Sequence, residues 1–197
     1  MKILQIKLKD LKANKATGLD KIPARLLKDS ASVMAPSLTH IVNLSLLTGV
    51  VPDEWKKARV VPLFKSGGQE IMDNYRPISI HPVVSKIAEK AVNVQLQLYL
   101  KQNDLLSPFQ SGFRQYHSTL TAVTFFCDTT RGGIDIGKQT EAVFIDFRKA
   151  FDSVPHDALI AKLKRFVIRG NSLDWFSNYL YNRTQAVSIG NIHCQIS

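Results

Sequence analysis

The stretch AVFIDFRKAFD, residues Ala142–Asp152, places one acidic side chain inside an apolar run, just before the sequence changes character. The pattern predicts a strand over Ala142–Phe147 and, after a turn, a helix over Pro155–Val167. Because a carboxylate among Val, Phe and Ile is costly to bury without a partner, Asp146 is a candidate for metal binding or hydrogen bonding. A carboxylate at a strand end that faces water is an equally good alternative on position alone.

The second acid of this stretch, Asp152, has a simpler interpretation. It lies just before Ser153, Val154 and Pro155, and an Asp or Ser in such a position can accept hydrogen bonds from the first free amides of a helix. Capping of the following helix by Asp152 or Ser153 is therefore favoured over a catalytic role for Asp152.

Apolar spacing on both sides of this stretch predicts a chain of mixed α and β structure. A strand over Ala58–Phe64 and its extended return over Tyr75–Ile80 flank Gly67-Gly68, which predicts a hairpin with a long basic tip. Helices are predicted from Pro23 through Leu27, from Pro36 to Gly49, from Val83 through Leu98, from Ser118 to Gly132-Gly133, and around Trp175–Leu180. No internal repeat or low-complexity linker interrupts the sequence, so we expect one domain.

Two further groups of residues could carry chemistry. Lys65 lies at the hairpin tip, Arg76 lies on the return strand, and the loop Gln110–Arg114 contains a glycine. Cations on a mobile tip usually serve only solvation, whereas a site that joins nucleotides needs cations over a triphosphate and a glycine that lets a template approach the backbone. Spacing alone leaves both interpretations open.

Charge, hydropathy and cysteine content restrict the classes of protein that fit. The 197 residues carry 26 Lys and Arg against 16 Asp and Glu, and the net charge of +10 suggests a polyanion such as nucleic acid as partner, with a merely basic protein as an even alternative. No apolar run approaches the roughly 20 residues of a membrane helix and no signal peptide is recognisable, so a soluble, intracellular protein is expected. Cys127 and Cys194 stand far apart and no Cys or His pair has zinc spacing, which argues against disulfide scaffolds and zinc modules.

Several short motifs follow one another over nearly the whole chain. They are KATGLDKIP at 15–23, PDEWK at 52–56, VPLFK at 61–65, NYRPISI at 74–80, SKIAEK at 85–90, QSGFR at 110–114, HST at 117–119, FID at 144–146, KAFD at 149–152 and the segment from Trp175 to Arg183. Each is a weak signal alone. In this order and spacing they resemble the reverse transcriptases of non-LTR retrotransposons, of the LINE-type, Jockey-like kind.

The resemblance implies a fold and a set of partners. The fold is α+β and mostly helical: the fingers of a right-hand polymerase over about residues 1–135, including their β-hairpin, and the start of an antiparallel palm sheet over about 136–197. The implied partners are an RNA template, a DNA primer and deoxynucleotides, with the cytoplasm and the nucleus as plausible locations.

The resemblance also implies roles for individual residues. Asp146 is expected to be the catalytic carboxylate and the first ligand of Mg²⁺, since transfer of this type uses two metal ions together with cations that offset the phosphate charge. The expected nucleotide contacts are Lys65 and Arg76 on the triphosphate, and Phe147 and Phe151 in the pocket, where Phe151 would exclude a ribose 2′-hydroxyl. The expected template cleft is lined by Gln110, Gly112, Phe113 and Arg114.

Two further motifs of the family, a Gly-Pro-Gln-Gly-type loop and a Tyr-x-Asp-Asp hairpin, do not occur in the 197 residues, and no two Asp residues are adjacent. Because two magnesium ions require several anionic oxygens, we expect that the chain alone does not polymerise DNA. The alternatives are a non-catalytic remnant that binds RNA or DNA through phosphate contacts, and a product without a stable fold.

Overall fold

The computed structural model describes residues 7–147, 149–189 and 192–196, with Ile189 and the last five described by their backbone only. The chain divides into two units. The first takes in the described parts of Met1–Leu96 and Pro155–Ser197, and the second is Gln97–Val154. These boundaries differ from the division into fingers and palm near residue 135, which stays a prediction.

Helices dominate both units. Those with fully described bounds are α1 (Ala24–Asp29), α2 (Ala31–Thr48), α3 (Val83–Gln102), α4 (Thr119–Asp135), α5 (His156–Arg165) and α6 (Gly170–Leu180). The strands are β1 (Lys57–Phe64), β2 (Tyr75–Ile80), β3 (Thr184–Ile189) and β4 (Ile192–Ile196), and short 3₁₀ turns at Asp53–Lys56 and Met72–Asn74 precede β1 and β2. The predicted α+β class is therefore confirmed. None of the described helices is both long enough and apolar enough to cross a bilayer.

The four strands form one mixed sheet in the order β2-β1-β3-β4. The predicted hairpin is confirmed: β1 and β2 are antiparallel, with Arg59 opposite Ile80 and Phe64 opposite Tyr75. Strand β3 runs parallel to β1, with Lys57 opposite Thr184, and β4 returns antiparallel to β3. Strand β1, one of the two inner strands, therefore pairs on one side with β2 and on the other with β3, which comes much later in the sequence.

An apolar cluster holds the first unit together. Its buried members are Leu8, Ala24, Leu27, Ala31, Ala35, Leu38, Val42, Val51, Trp55, Val83, Ile87, Ala88 and Trp175. The Trp175 ring stacks on Tyr179 with centroids 5.2 Å apart, and its Nε1 donates to Ser45 Oγ at 2.9 Å. Since a buried indole N–H needs an acceptor, this bond together with the stacking fixes α6 against α2.

The second unit is built differently. Helix α4 begins at a capping box in which Ser118 Oγ accepts from Thr121 N at 3.2 Å and Thr121 Oγ1 accepts from Ser118 N at 2.9 Å, as the predicted Ser118 cap requires. No residue of α4 is buried. Aromatic pairs connect its segments, with centroids 6.1, 6.0 and 5.9 Å apart for Phe109–Phe125, Phe126–Phe144 and Phe113–Phe151.

The bounds of two predicted helices are wrong. Helix α2 begins at Ala31 and contains Pro36, because the burial of Ala31 and Ala35 in the core offsets the backbone hydrogen bond that a proline removes. Its end at Gly49, with φ of 71°, is as predicted. Helix α4 continues through Gly132-Gly133 to Asp135, since glycine weakens a helix without ending it.

The predicted strand over Ala142–Phe147 is also wrong. Residues 141–147 have no regular secondary structure, and Val143 and Phe144 are each 85% exposed. A strand needs a neighbour to pair with, and none of the described strands pairs with this segment. The sheet that the described residues form is mixed, whereas an antiparallel palm sheet was expected. The predicted cap of α5 is wrong as well: the cap residue is Pro155 without a side-chain bond, and Ser153 Oγ donates to Ala150 O at 3.1 Å.

Candidate nucleic-acid interface

The hairpin of β1 and β2 carries the two cations that were predicted to contact phosphates. Its tip, residues 65–74, is closed by Asn74, whose carbonyl accepts from Lys65 N at 2.8 Å and whose Nδ2 donates to Gly68 O at 2.8 Å. Gly67, with φ of 95°, packs so closely that a Cβ there would lie 2.6 Å from Asn74 Nδ2, which requires glycine. The tip is therefore fixed by its own hydrogen bonds.

Lys65 and Arg76 lie on one face of the hairpin. Arg76 is opposite Leu63 in the strand register. Lys65 is the first residue after β1, and its N–H donates to Asn74 O, so the register of the hairpin continues through it. The alternation of a strand then puts Leu63, Lys65 and Arg76 on the same side. Both cations are exposed, and neither takes part in an ion pair within the described residues. They are thus available to an anionic ligand.

Arg59 extends this cationic face, and the sequence analysis missed it. It lies four residues before Leu63 on β1 and opposite Ile80, which places it on the side of Lys65 and Arg76. Its buried Nε has no hydrogen-bond partner among the residues that the structure describes. The available signal was the period of two in the basic residues Lys57, Arg59 and Lys65.

The net charge is divided unequally between the two units. Residues 97–154 hold six of the 26 Lys and Arg and six of the 16 Asp and Glu, so the whole excess of +10 belongs to the first unit. Since polyanions bind where positive charge is concentrated, the first unit is the candidate surface for phosphate contacts.

The corner between β2 and α3 concentrates ionisable groups. Burial and then the Arg183 guanidinium lower the pKa of His81, with Glu89 opposing the shift. Burial and then Lys15 lower the pKa of Lys86, against the carboxylates of Glu89 and Asp20. Burial first, and then Glu89, raise the pKa of Tyr179. This partly buried cluster lies where β2 ends, and neither His81 nor Arg183 was singled out from sequence as a functional residue.

In the second unit, the loop Gln110–Arg114 is stabilised by its own side chains. Arg114 Nη1 donates to Ser107 O at 2.8 Å and to Gln110 O at 3.4 Å, and Gln110 Nε2 donates to Gly112 O at 3.1 Å. Apart from the neighbours of Gly112 in the chain, none of the described residues has a heavy atom within 4 Å of the position that a Cβ there would take, so the backbone is open on that side. The template role predicted for these residues stays a prediction.

Phe113 and Phe151 are two predicted site residues that the structure brings together. Their rings meet edge to face with centroids 5.9 Å apart, although Phe113 is 84% and Phe151 78% exposed. Phe113 has φ of 60°, a left-handed conformation that costs energy for an aromatic residue. The loop therefore holds an aromatic ring in solvent at some conformational cost, which suits stacking on a nucleobase.

Asp146 and Phe147 lie in an exposed, irregular segment a few residues before Phe151. Within residues 7–147 and 149–189, no group of three or more His, Cys, Asp or Glu side chains is placed to hold a metal ion. One carboxylate is too small a donor set for Mg²⁺, which takes several oxygen ligands in near-octahedral geometry. The described residues therefore do not by themselves fit the expected Mg²⁺ centre.

Comparison with known proteins identifies the family. Residues 56–195 match the family described as reverse transcriptase (RNA-dependent DNA polymerase). The chain belongs to the reverse transcriptase family. The matched residues include the hairpin with Lys65 and Arg76, the loop Gln110–Arg114 and Asp146.

Relatives of this reverse transcriptase chain come from mobile elements. It is 33% identical over 159 residues to the probable RNA-directed DNA polymerase from transposon BS of Drosophila melanogaster, covering 80% of this chain and 18% of that protein. It is 31% identical to the RNA-directed DNA polymerase from mobile element jockey of the same species, covering 79% and 17%. It is 26% identical to the retrovirus-related Pol polyprotein from type-1 retrotransposable element R2 of Popillia japonica, covering 82% and 23%. The resemblance to non-LTR retrotransposon reverse transcriptases is confirmed, and the chain spans about a fifth of the length of these relatives.

Proposed function

We propose that this chain is part of an RNA-directed DNA polymerase, in which the cationic face of the hairpin holds the phosphates of nucleotide and nucleic acid. The observation that carries the proposal is the placement of Lys65 and Arg76, exposed and without ion pairs in the described residues, on one face of the strand pair inside the family match. Their charges would offset the negative charge of a triphosphate.

The second unit would contribute contacts to the bases. Phe113 and Phe151 offer aromatic surface to a nucleotide and a template, with Phe151 as the residue that would exclude a ribose 2′-hydroxyl and Phe147 beside it in sequence. Arg114 and Gln110 would act mainly by shaping the loop, since their side chains donate hydrogen bonds to loop carbonyls. Asp146 would be the carboxylate at the reacting phosphates.

The 197-residue polypeptide alone is proposed to bind nucleic acid without extending a primer. The reason is the donor set: Asp146 lacks companion carboxylates among the described residues, and stabilising both the attacking and the leaving oxygen takes a fuller set of anionic ligands. A non-catalytic RNA- or DNA-binding role is therefore the second candidate function, favoured by the concentration of charge in the first unit.

A chimaeric enzyme tests the polymerase proposal. Residues 56–195 would replace the aligned segment of the jockey polymerase, and primer extension on an RNA template with Mg²⁺ would be measured. We expect incorporation of deoxynucleotides by the chimaera and a loss of at least about a hundredfold for Asp146→Asn, as for the loss of a principal electrostatic group. Asp152→Asn, another exposed aspartate of the same stretch, is the matched control and should keep its activity.

Either of two results would contradict the proposal. One is a folded chimaera that incorporates nothing, and the other is an Asp146→Asn chimaera as active as its Asp152→Asn control. The binding role is measured separately, by titrating the isolated polypeptide into labelled RNA at several salt concentrations; no binding even at low salt would eliminate it.

A further inference from the structure

The hairpin leaves the body of the first unit through a two-residue corner, His81-Pro82, between β2 and α3. This corner is tightly packed on its backbone. A Cβ on Gly18 would lie 2.7 Å from Pro82 N and 3.0 Å from the His81 carbonyl carbon, so only glycine fits above it. Because β2 ends one residue before His81, the position of His81 sets the direction of the strand that carries Arg76.

Arg183 reaches this corner from the segment before β3. Its Nη2 lies 3.1 Å from His81 Nδ1, and its Nη1 donates to Tyr179 O at 3.0 Å. The guanidinium carbon also lies 4.7 Å from the centre of the Tyr179 ring. A planar guanidinium that makes two directed contacts and one stacking contact has a single orientation, which a lysine could not reproduce.

Tyr179 is in turn anchored to the core. Its ring stacks on buried Trp175 at 5.2 Å. Burial and then the nearby Glu89 carboxylate raise the pKa of its hydroxyl. Glu89 Oε1 accepts from Ser85 Oγ at 2.7 Å, and Ser85 is only 1% exposed. A continuous series of contacts therefore runs from the core through Tyr179 and Arg183 to the end of β2.

We propose that Arg183 is a positioning residue for the cationic hairpin, holding the end of β2 through His81 so that Lys65 and Arg76 keep a fixed direction. The inference rests on the proposed function of that hairpin. Arg183 is not assigned a phosphate contact, because both of its terminal nitrogens already have protein partners. Since arginine can only donate, His81 Nδ1 must be the unprotonated acceptor of this contact.

Protonation of His81 removes that acceptor and sets two cations against each other. The charged groups around His81 are Arg183 and Lys86, which oppose its protonation, and Glu89, which favours it. Lys15 and Asp20 act on the corner through Lys86. The hydrogen bond from Arg183 to His81 is therefore present when His81 is neutral and is lost when His81 is protonated at acid pH.

The first experiment compares wild type, Arg183→Met and Arg183→Lys. Hydrogen exchange measured by mass spectrometry on peptides covering 75–82 should be faster in Arg183→Met, with peptides from α2 unchanged. RNA affinity should fall about three- to tenfold, the net size of one ordinary hydrogen bond, because the loss acts indirectly through the direction of β2, while the slope of log affinity against log salt stays unchanged. Arg183→Lys keeps the charge and should show the same faster exchange.

The salt slope and the hydrogen exchange together distinguish a positioning role of Arg183 from a direct phosphate contact. A salt slope smaller by about 0.7, with normal exchange in peptides 75–82, would mean that Arg183 binds phosphate and would overturn the proposal. If the wild-type protein binds no RNA at all, the proposed function fails. The hydrogen exchange of peptides 75–82 still decides whether Arg183 stabilises β2.

Substitutions of His81 give the second arm. His81→Leu removes the acceptor and should match Arg183→Met, and the double variant should be no worse than either single, because both break one contact. His81→Asn places a carbonyl near the Nδ1 position and should restore wild-type exchange while removing its dependence on pH below 6.5. Additive effects in the double variant would refute the coupling. If the Arg183→Met variant does not fold, the single variants His81→Leu and Arg183→Lys take its place in the comparison with wild type.

Discussion

The two units of this chain differ in how they place their large apolar side chains. In the first, Trp175, Leu27 and Val83 are buried and the excess positive charge lies outside. In the second, charges balance and large apolar groups such as Leu120 and Phe125 are 74% and 57% exposed, while Leu100 is the buried hydrophobic residue among those described. Buried packing and the excess of positive charge are thus concentrated in the first unit, whereas the second exposes aromatic surface.

Truncation of the core tryptophan should have the largest effect. Trp175→Ala removes a buried ring, its stacking on Tyr179 and its bond to Ser45, and should destabilise the protein by about 3–5 kcal/mol. The matched change in the second unit, Phe125→Ala, should cost less than about 1 kcal/mol because the ring is mostly exposed. Urea unfolding followed by circular dichroism measures both, and equal losses would mean that the contrast between the units is wrong.

Neutralising the hairpin cations should have the next largest effect, on binding. Lys65→Gln with Arg76→Gln should lower RNA affinity about tenfold and reduce the salt slope by about 1.4, two phosphate contacts on a single strand. Arg131→Gln with Lys138→Gln removes the same charge from the second unit and is the control. If the control variant loses as much affinity, RNA binding depends on the net charge of the protein and not on the cations of the hairpin face.

Relief of a strained backbone position should give a smaller change of opposite sign. Val167 has φ of 63°, which is unfavourable for a β-branched residue by about 1–2 kcal/mol. Val167→Gly should therefore stabilise the first unit by about 0.5–1 kcal/mol, after the entropy that glycine adds to the unfolded chain. Val167→Ala keeps the Cβ and should gain little. The midpoint of thermal unfolding measures the stability of both variants. A lower midpoint for Val167→Gly than for wild type would show that the backbone at Val167 is not strained.

The smallest expected effect is a pH dependence from His81. Burial and Arg183 hold its pKa below the ordinary value of 6.5, so the unfolded chain takes up the proton more readily than the folded one. The contribution of neutral His81 to stability is thus complete above pH 6.5 and is lost as the pH falls from there through the lower folded pKa. Urea midpoints from pH 7.5 to 5 should fall more for wild type than for His81→Asn; parallel curves would show that other groups cause the decline.

Local patterns predicted the hairpin and most helices because their signals lie within a few residues. The alternation in Ala58–Phe64, the cap at Ser118 and the stop at Gly49 are examples. The apolar run Ala142–Phe147 misled for a physical reason: hydrophobicity marks a segment that pairs well, but pairing needs a partner strand, and none of the described strands pairs with it.

The candidate site was predictable in part. Lys65 and Arg76 were found because they stand in motifs, and their common face follows from the register of one hairpin. The contact of Phe113 with Phe151 joins positions 38 residues apart in sequence, so spacing could not reveal it. The hydrogen bond between His81 and Arg183 spans 102 positions, and only the tertiary fold brings the two together.

The parallel pairing of β1 with β3 has a consequence for synthesis of the protein. Strand β1 leaves the ribosome before β3, with its hairpin partner β2 close behind, and its other edge stays unpaired until Thr184–Ile189 has been translated. An open strand edge is a template for association with other chains, and closing so long a loop is slow. During that interval the open edge of β1 is where we expect unwanted strand pairing with other chains to begin.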